Sequence, residues 1–524
     1  MSPPRRIDLT PEQLDALLKR VEAGTLQDGD YEIIKGMAET LSFLSQALDN
    51  KNTSIKRLLK LIFGDSTEKT AKVLKRNKAG GKKSGKKKKK KRKGHGKNGA
   101  AAYHGAEKIK VAHESLKPKD PCPDCYRGKL YELTEPGIIV RVTGNAPCSG
   151  KIYELQKLRC NLCQKIFTAA APDDIGEEKY DAASGAMIAL LKYGSGLPFN
   201  RLDQLQATLG VPLPSSTQWE IVESVADKIH PVYPELMRQA AAGDVVYNDD
   251  TVMKILELMK QSDEERRGRT GMYTSGILST VADRKMAVFM TGGRHAGENL
   301  ANVLQKRSVT LPPPVQMCDA LSRNLPENFK TILANCLAHA RRRFVDVEPN
   351  FPQQCTYVLE TLEEVYINDA VTKQQNMTPD QRLQYHQENS APLMDDLEDW
   401  MRHQFDDKNV EPNSGLGQAI SYMLNHWKEL TLFLRVPKAP LDNNLCERAL
   451  KKAILHRKNS LFYKTEHGAY IGDLFMSLIH TCNLCKVNPF EYLKILQQHS
   501  SELFQNPDKW MPWNYEQSIG NAAD

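Results

Sequence analysis

Long apolar runs are missing from this sequence. No stretch of 18 or more uncharged apolar residues occurs, which excludes a membrane-spanning helix. The opening Met1-Ser-Pro-Pro-Arg-Arg leads into Asp8 without the apolar core of a secretion signal, so a cytoplasmic location is expected. Acid is absent from Lys72 to Lys97, a segment holding 15 Lys and Arg. The other residues therefore carry a net −7, the whole-chain +8 less those 15. Apolar content of 40% and charged content of 26% exclude wholesale disorder. At about 150 residues per domain, 524 residues suggest three or four domains, large enough to bury a core without disulfide staples.

The positive charge thus belongs to one segment. Lys86, Lys87, Lys88, Lys89, Lys90 and Lys91 are consecutive, Arg92 and Lys93 follow, and Gly80, Gly81, Gly85, Gly94 and Gly96 flank them. Like charges at that density repel and Gly disfavours a helix, so the segment reads as a flexible linker. It serves either as a solubilising spacer or as a phosphate-seeking arm; the arm is the preferred reading, and its grip should weaken steeply with salt.

Before the linker, Thr10-Pro11-Glu12-Gln13 reads as an N-cap followed by Pro at the first helical position. Leu14, Leu17, Leu18 and Val21 form one apolar face, ended by Gly24. Ile34, Met37, Leu41, Leu44, Leu48, Lys51, Ile55, Leu58 and Ile62 then alternate spacings of 3 and 4. That seam predicts a coiled coil and hence a homo-oligomer; the alternative is a helical hairpin broken near Asp49–Asn52. Asp65 and Glu68 form a capping box for a helix running into the lysines.

Eleven cysteines without a secretion signal argue for metal or buried thiols rather than disulfides. Cys122-Pro-Asp-Cys125 and Cys160-Asn-Leu-Cys163 are two C-x-x-C knuckles with 34 residues between them. Four thiolates on two tight turns suit one tetrahedral Zn²⁺, a closed structural site. The intervening stretch alternates in strand fashion, as a zinc ribbon requires. Cys482 and Cys485 form a third C-x-x-C, but within the apolar helical pattern Ile471–Leu484, where buried thiols are the simpler account.

From Tyr180 to Ala241 the pattern is helical. Arg201–Leu209, a Gly-containing turn, and a helix opening at Ser215 are the parts of a helix-turn-helix, a pair that contacts DNA in some proteins and only packs in others. Beyond Gly243 the texture changes to strands: Asp244–Asp250, Met272–Ala282, Met286–Thr291, then a helix at Glu298–Arg307 and a strand Val315–Cys318 ending on Asp319. A short strand, Thr331–Cys336, leads into His339-Ala-Arg341-Arg342-Arg343-Phe344. This reads as a mixed α/β sheet. Asp346 to Leu434 reads as a helical insertion, after which Leu441–Leu450 returns to a capped helix bearing Glu447. Arg448, Lys451, Lys452, Arg457 and Lys458 surround that acid with positive charge.

Tyr247-Asn-Asp249-Asp-Thr251, Cys336-Leu-Ala-His339-Ala-Arg-Arg-Arg-Phe344 and Asp442-Asn443-Asn444-Leu-Cys-Glu447-Arg448, with Arg457-Lys458-Asn459, resemble the insertion-sequence 66 family of DDE transposases. Phe63-Gly64-Asp-Ser-Thr-Glu68-Lys69 and the zinc ribbon do too, so the resemblance covers nearly the whole chain. Three departures stand out: Asp250 and Val252 replace the family's usual Glu and Pro after the first acid, and Leu337 sits where an aromatic is common.

The resemblance implies a DNA transposase with a ribonuclease-H-like core in which Asp249, Asp319 and Glu447 are the catalytic triad. It implies two Mg²⁺ (or Mn²⁺) ions per active site, DNA partners (the element's terminal repeats and a target), accessory mobile-element proteins in some members, and a nucleoid-associated cytoplasmic location. Mg²⁺ favours carboxylate oxygens, and two ions about 4 Å apart clamp an in-line phosphoryl displacement. His339 is a supporting residue for the scissile phosphate or the strand end; Asn443 and Asn444 orient Glu447 or, as preferred, cap its helix. Arg341, Arg342, Arg343, Arg448, Lys451, Arg457 and Lys458 join the arm as DNA-binding candidates.

The expected architecture is multidomain α and α/β. An N-terminal helix and coiled coil (1–76), the linker (77–104), a zinc ribbon (105–172) and a helix-turn-helix-like domain (173–242) come first. The core follows in two parts (243–345 and 441–475) around the insertion (346–440), then a helical tail (476–524). A domesticated DNA-binding protein and a nuclease without strand transfer remain alternatives.

Overall fold

The computed structural model describes residues 11–27, 29–37, 70–74, 115–125, 127–132, 145–159, 166–170, 172, 178–262, 269 and 271–522. The basic arm at 82–93, the heptad positions from Leu41 onward, the Asp65–Glu68 box, and Cys160 and Cys163 lie outside them. Two compact units emerge, Lys78–Ser149 and the remainder.

The smaller unit contains the first knuckle. Pro121 and Lys129 form an antiparallel bridge, and the backbone N–H of Cys122 donates to Gly128 O at 2.8 Å. The turn between them carries Cys122 and Cys125. Backbone N–H groups of Arg127 and Gly128 and the Cys122 thiol stabilise the Cys125 thiolate and lower its pKa.

In the larger unit, helix α1 (Pro11–Glu22) starts at the proline expected for its first position. An ion pair of 2.8 Å from Arg20 to Asp30 joins it to a helical stretch at 30–37 and holds Asp30 down at about 2. A two-stranded antiparallel ladder, β1 (Lys157–Arg159) with β2 (Ile166–Thr168), precedes the helical segment. That segment comprises α2 (Ala182–Ala189), a π-helical continuation Leu190–Gly194, α3 (Phe199–Thr208), α4 (Ser215–Ile229) and α5 (Val232–Ala240). Asp203 on α3 accepts from both the backbone N–H and the hydroxyl of Ser215 at 3.1 Å. The helix-turn-helix-like pair is therefore fastened by a carboxylate from its first helix, not by a cap of Ser215's own.

The sheet that follows has five strands. They are β3 (Val245–Val252), β4 (Tyr273–Val281), β5 (Arg284–Gly292), β6 (Val315–Cys318) and β7 (Ile332–Asn335), in spatial order β5-β4-β3-β6-β7. β4 runs antiparallel to both β3 and β5, whereas β6 runs parallel to both β3 and β7. Helix α6 (Ala296–Leu304) bridges the antiparallel half to β6. The interior of β4 is buried on both faces, as a central strand rich in Ile, Leu, Thr and Val allows.

Next come α7 (Leu337–Val347), then the insertion, α8 (Pro352–Gln374), α9 (Pro379–Asn389), α10 (Ala391–Asp406) and α11 (Gly415–Asn425). The insertion has no core of its own: Val358, Leu362, Met401 and Met423 pack in one cluster with Val245, Met317 and Phe344. Inside it, buried Asp369 accepts from Arg382 at 2.9 Å and pairs with Lys373 at 2.5 Å, and His386 Nε2 lies 3.4 Å away. Arg382 also donates to Ala439 O at 2.9 Å, tying α9 to the segment that returns to the sheet.

Helices α12 (Asn444–Ser460), α13 (Glu466–Leu484) and α14 (Pro489–Gln498) come next, with shorter helices Ser500–Gln505 and Tyr515–Ala522 after them; α13 runs straight through residue 475, where a domain edge was expected. α13 carries Asp473, Ser477 and Thr481 four residues apart along its buried stretch. Thr481 accepts from Ala287 N at 3.0 Å, Ser477 from Phe289 N at 2.9 Å, and Asp473 from Thr291 N at 2.6 Å. Side chains thus satisfy the outer edge of β5, where no further strand is paired among the described residues. Cys482 is buried on the same helix, and Cys485 lies at its end.

Candidate active site

Each acid is delivered by a different element. Asp249 lies on the central strand β3, Asp319 follows β6 directly, and Glu447 occupies the first turn of α12. β3 and β6 are parallel neighbours, so both aspartates emerge toward the same end of the sheet. Burial pushes the Asp249 carboxyl up to about 7; the Asp250 backbone N–H opposes this, and the charges of Asp319, Asp250 and Glu447 add to it. Three carboxylates therefore share one electrostatic neighbourhood. Asp250 turns to the opposite face of the strand, where its carboxylate lies 2.9 Å from His295 Nδ1 and accepts from Ala296 N at the start of α6.

Buried amides hold the site from behind. The Asn324 side-chain amide donates to Asp319 Oδ1. The backbone carbonyl of Asn324 accepts from Asn248 Nδ2 at 2.7 Å and Gln316 Nε2 at 2.8 Å, and Gln316 also donates to Asn248 Oδ1 at 2.9 Å. All three side chains are inaccessible to solvent. Sequence reasoning passed over them because an isolated Asn or Gln carries no periodic signal.

Asn443 and Asn444 behave differently from the capping expectation. Asn443 is the N-cap of α12, yet its side chain makes no capping bond and instead donates to Asn248 O at 3.2 Å, beside Asp249. Its backbone N–H donates to Cys336 Sγ at 3.2 Å. Asn444 turns back to Asp442 at 2.7 Å and not toward Glu447. The reason is burial: Asn443 is wholly buried, and the Asn248 carbonyl is an acceptor within its reach.

His339 Nε2 stands 3.6 Å from Glu447 Oε1, and that oxygen is buried without a hydrogen-bond donor. Of the basic candidates, Arg341 donates to Thr70 Oγ1 at 3.2 Å, and Arg343 stacks over the Tyr422 ring at 3.8 Å. Arg457 donates to Val252 O at 2.6 Å and to Thr251 Oγ1 at 3.1 Å, binding α12 to the end of β3. Arg448, Lys451 and Lys458 are exposed on α12.

A family model described as "Transposase IS66 family" matches residues 179–471, a span that contains all three acids and His339. This chain belongs to that family. Family membership carries a transposase role and DNA as the partner. The chain is also similar to two proteins of Sinorhizobium fredii, both described as uncharacterized. One, y4jD, is 28% identical over 429 residues, 78% of this chain and 81% of that protein. The other, y4hP, is 24% identical over 433 residues, 77% and 75% of the two chains. Among the described residues, no helix is long and apolar enough to cross a membrane.

Proposed function

We propose that this transposase-family chain binds the ends of its own mobile element and catalyses metal-dependent strand cleavage and strand transfer at Asp249, Asp319 and Glu447. The observation that carries the reading is geometric: β3 and β6 run parallel, so Asp249 and Asp319 share one end of the sheet, and the Asn443 side chain bonds the start of the Glu447 helix to Asn248 O beside Asp249. The strand order, with three antiparallel strands continued by two parallel ones, supports a ribonuclease-H-like core.

The donor set fits hard divalent cations. All three groups offer oxygen, Asp249 is raised by burial and further by its neighbours' charges, and buried Glu447 Oε1 has no donor. Asp249, Asp319 and Glu447 would hold Mg²⁺ or Mn²⁺, two per site, supplying activation of the attacking hydroxyl and charge stabilisation on the leaving oxygen. The protein's own part is positional. Asn324 fixes the rotamer of Asp319, Asn443 ties the Glu447 helix to the strand of Asp249, and Arg457 locks that helix further along. Arg448, Lys451 and Lys458 lie exposed on the same helix and suit backbone phosphates, as do Lys86–Lys93.

The Cys122–Cys125 turn, with backbone N–H groups directed at a thiolate, supports the zinc ribbon. Homo-oligomerisation through the heptads and help from accessory proteins belong to the same reading.

The test is incubation of purified protein with Mg²⁺ or Mn²⁺ and DNA carrying the gene's own flanks, comparing wild type with Asp319→Asn. Metal-dependent 3′-end nicking and joined products, absent in the variant, are expected. Cutting without joining would point to a nuclease or a missing accessory factor. Specific binding without cutting by wild type would replace the reading with that of a DNA-binding protein.

A further inference from the structure

Cys336, His339 and Glu447 bring three different ligand types together beside the acids. The first two come from one C-x-x-H stretch: Cys336 is the N-cap of α7, and His339 lies on its first turn. Residues three apart share a helix face, so thiol and imidazole point the same way. Glu447 comes from α12, brought close because Leu337 N bonds to Leu441 O at 2.9 Å. One ligand atom from each residue lies within 4.8 Å of the other two, and His339 Nε2 is 3.6 Å from Glu447 Oε1.

Three details make this more than a chance cluster. Glu447 Oε1 is buried without a hydrogen-bond donor. Cys336 Sγ is fixed in place by the backbone N–H of Asn443 at 3.2 Å; burial, the larger influence, pushes its thiol up to about 12, so it is a metal ion that would draw off the proton. Cys336 is sealed from solvent, while the side chains of His339 and Glu447 are 27% and 26% exposed.

We propose that Cys336, His339 and Glu447 form a second cation site, selective for thiophilic divalent ions of the Zn²⁺ class, which competes with catalysis by claiming Glu447. A sulfur, an imidazole and one carboxylate suit Zn²⁺ and disfavour Mg²⁺, which takes oxygen. Tetrahedral Zn²⁺ places its ligands about 3.3–3.6 Å apart, so the His–Glu edge is already formed and the sulfur must approach by about 1 Å. The fourth position is left for water. Binding replaces the Cys336 thiol proton with a metal–sulfur bond, and the proton leaves to solvent. Glu447 belongs to both sites, so occupation of this one draws it away from Asp249 and Asp319. That inhibitory consequence rests on the proposed transposase chemistry; the binding site does not.

The test is a Co²⁺ titration of the full-length protein carrying one Zn²⁺ per chain, enough for the four-thiolate knuckles and no more, read by the thiolate-to-cobalt absorption band. One additional ion with a thiolate band is expected in wild type and in Cys122→Ser, where the first knuckle is broken. It should be lost in Cys336→Ser and weakened at least tenfold in His339→Gln, a partly exposed position whose change spares the core. No additional band in wild type, or an unchanged band in Cys336→Ser, overturns the site. In parallel, the Zn²⁺ concentration that halves each protein's own Mg²⁺-dependent nicking should rise at least tenfold in His339→Gln; equal values overturn the competition. If no protein nicks DNA while the cobalt band behaves as expected, the transposase chemistry falls and the cation site stands.

Discussion

Gly276 lies directly across the β3–β4 ladder from Asp249, and the Cys446 thiol donates to its carbonyl at 3.2 Å. The glycine is what lets the helix of Glu447 come down onto the strand of Asp249. A Cβ at Gly276 would meet Leu450 Cδ2 at 3.0 Å and Cys446 Sγ at 3.6 Å. Gly276→Val should therefore cost about 1–3 kcal/mol of stability through overpacking. Its effect on catalysis should be larger, because a misplacement of about 1 Å costs roughly 10²-fold in rate. Thermal melts and nicking rates measured together check this; equal losses in Gly276→Val and in a remote core variant of matched stability would refute it.

Asp473 gives a pH prediction away from the acids of the site. Burial raises its carboxyl from 3.8 to about 7, against the opposing hydrogen bonds from Thr291. A raised folded-state pKa means that the folded protein keeps a proton the unfolded chain has released. Its contribution to stability therefore falls as pH rises from about 4 to about 7, then levels off. Asp473→Asn retains an acceptor for Thr291 N and adds a donor for its hydroxyl. Denaturation across that window should show a shallower decline in the variant, with stability at pH 8 equal to or above wild type.

Asp369 runs the opposite way. It is buried among Arg382, Lys373 and His386, and although desolvation is the largest single influence, these partners outweigh it and hold its pKa below the usual carboxylate range. Its stabilisation is present above the ordinary carboxylate pKa and is lost as pH falls through the lowered one. Asp369→Ala leaves Arg382 uncompensated and should cost about 3–5 kcal/mol, read from urea denaturation midpoints. A loss below about 1 kcal/mol would show that the pair contributes little.

DNA binding should weaken by orders of magnitude between about 50 and 200 mM salt if the lysine arm grips phosphates. Deleting residues 82–93 should flatten the slope of log affinity against log salt. An unchanged slope would make the arm a spacer.

Much of the core is legible in the sequence. Val315–Cys318 is the strand expected, Asp319 stands at its end, and Glu447 is on a helix. These follow from local alternation and periodicity. What escaped depends on contacts between distant segments: the Asn324 amide on Asp319, the pairing of Gly276 with Asp249, and Asn443's preference for the Asn248 carbonyl over its own helix. One further signal lies in the sequence: Asp473, Ser477 and Thr481 recur at intervals of four among apolar residues, a pattern that announces a polar edge beneath the helix.

That pattern also sets what the chain can absorb over evolutionary time. Four helical residues advance about 6 Å and two strand residues about 6.8 Å, so three successive side chains keep step with Ala287, Phe289 and Thr291. A single inserted or deleted residue within α13 would rotate every later partner off the strand at once, whereas Ser477→Thr would leave the hydroxyl in place. Divergence in this stretch must proceed by replacement, and changes of length must fall in the turns on either side.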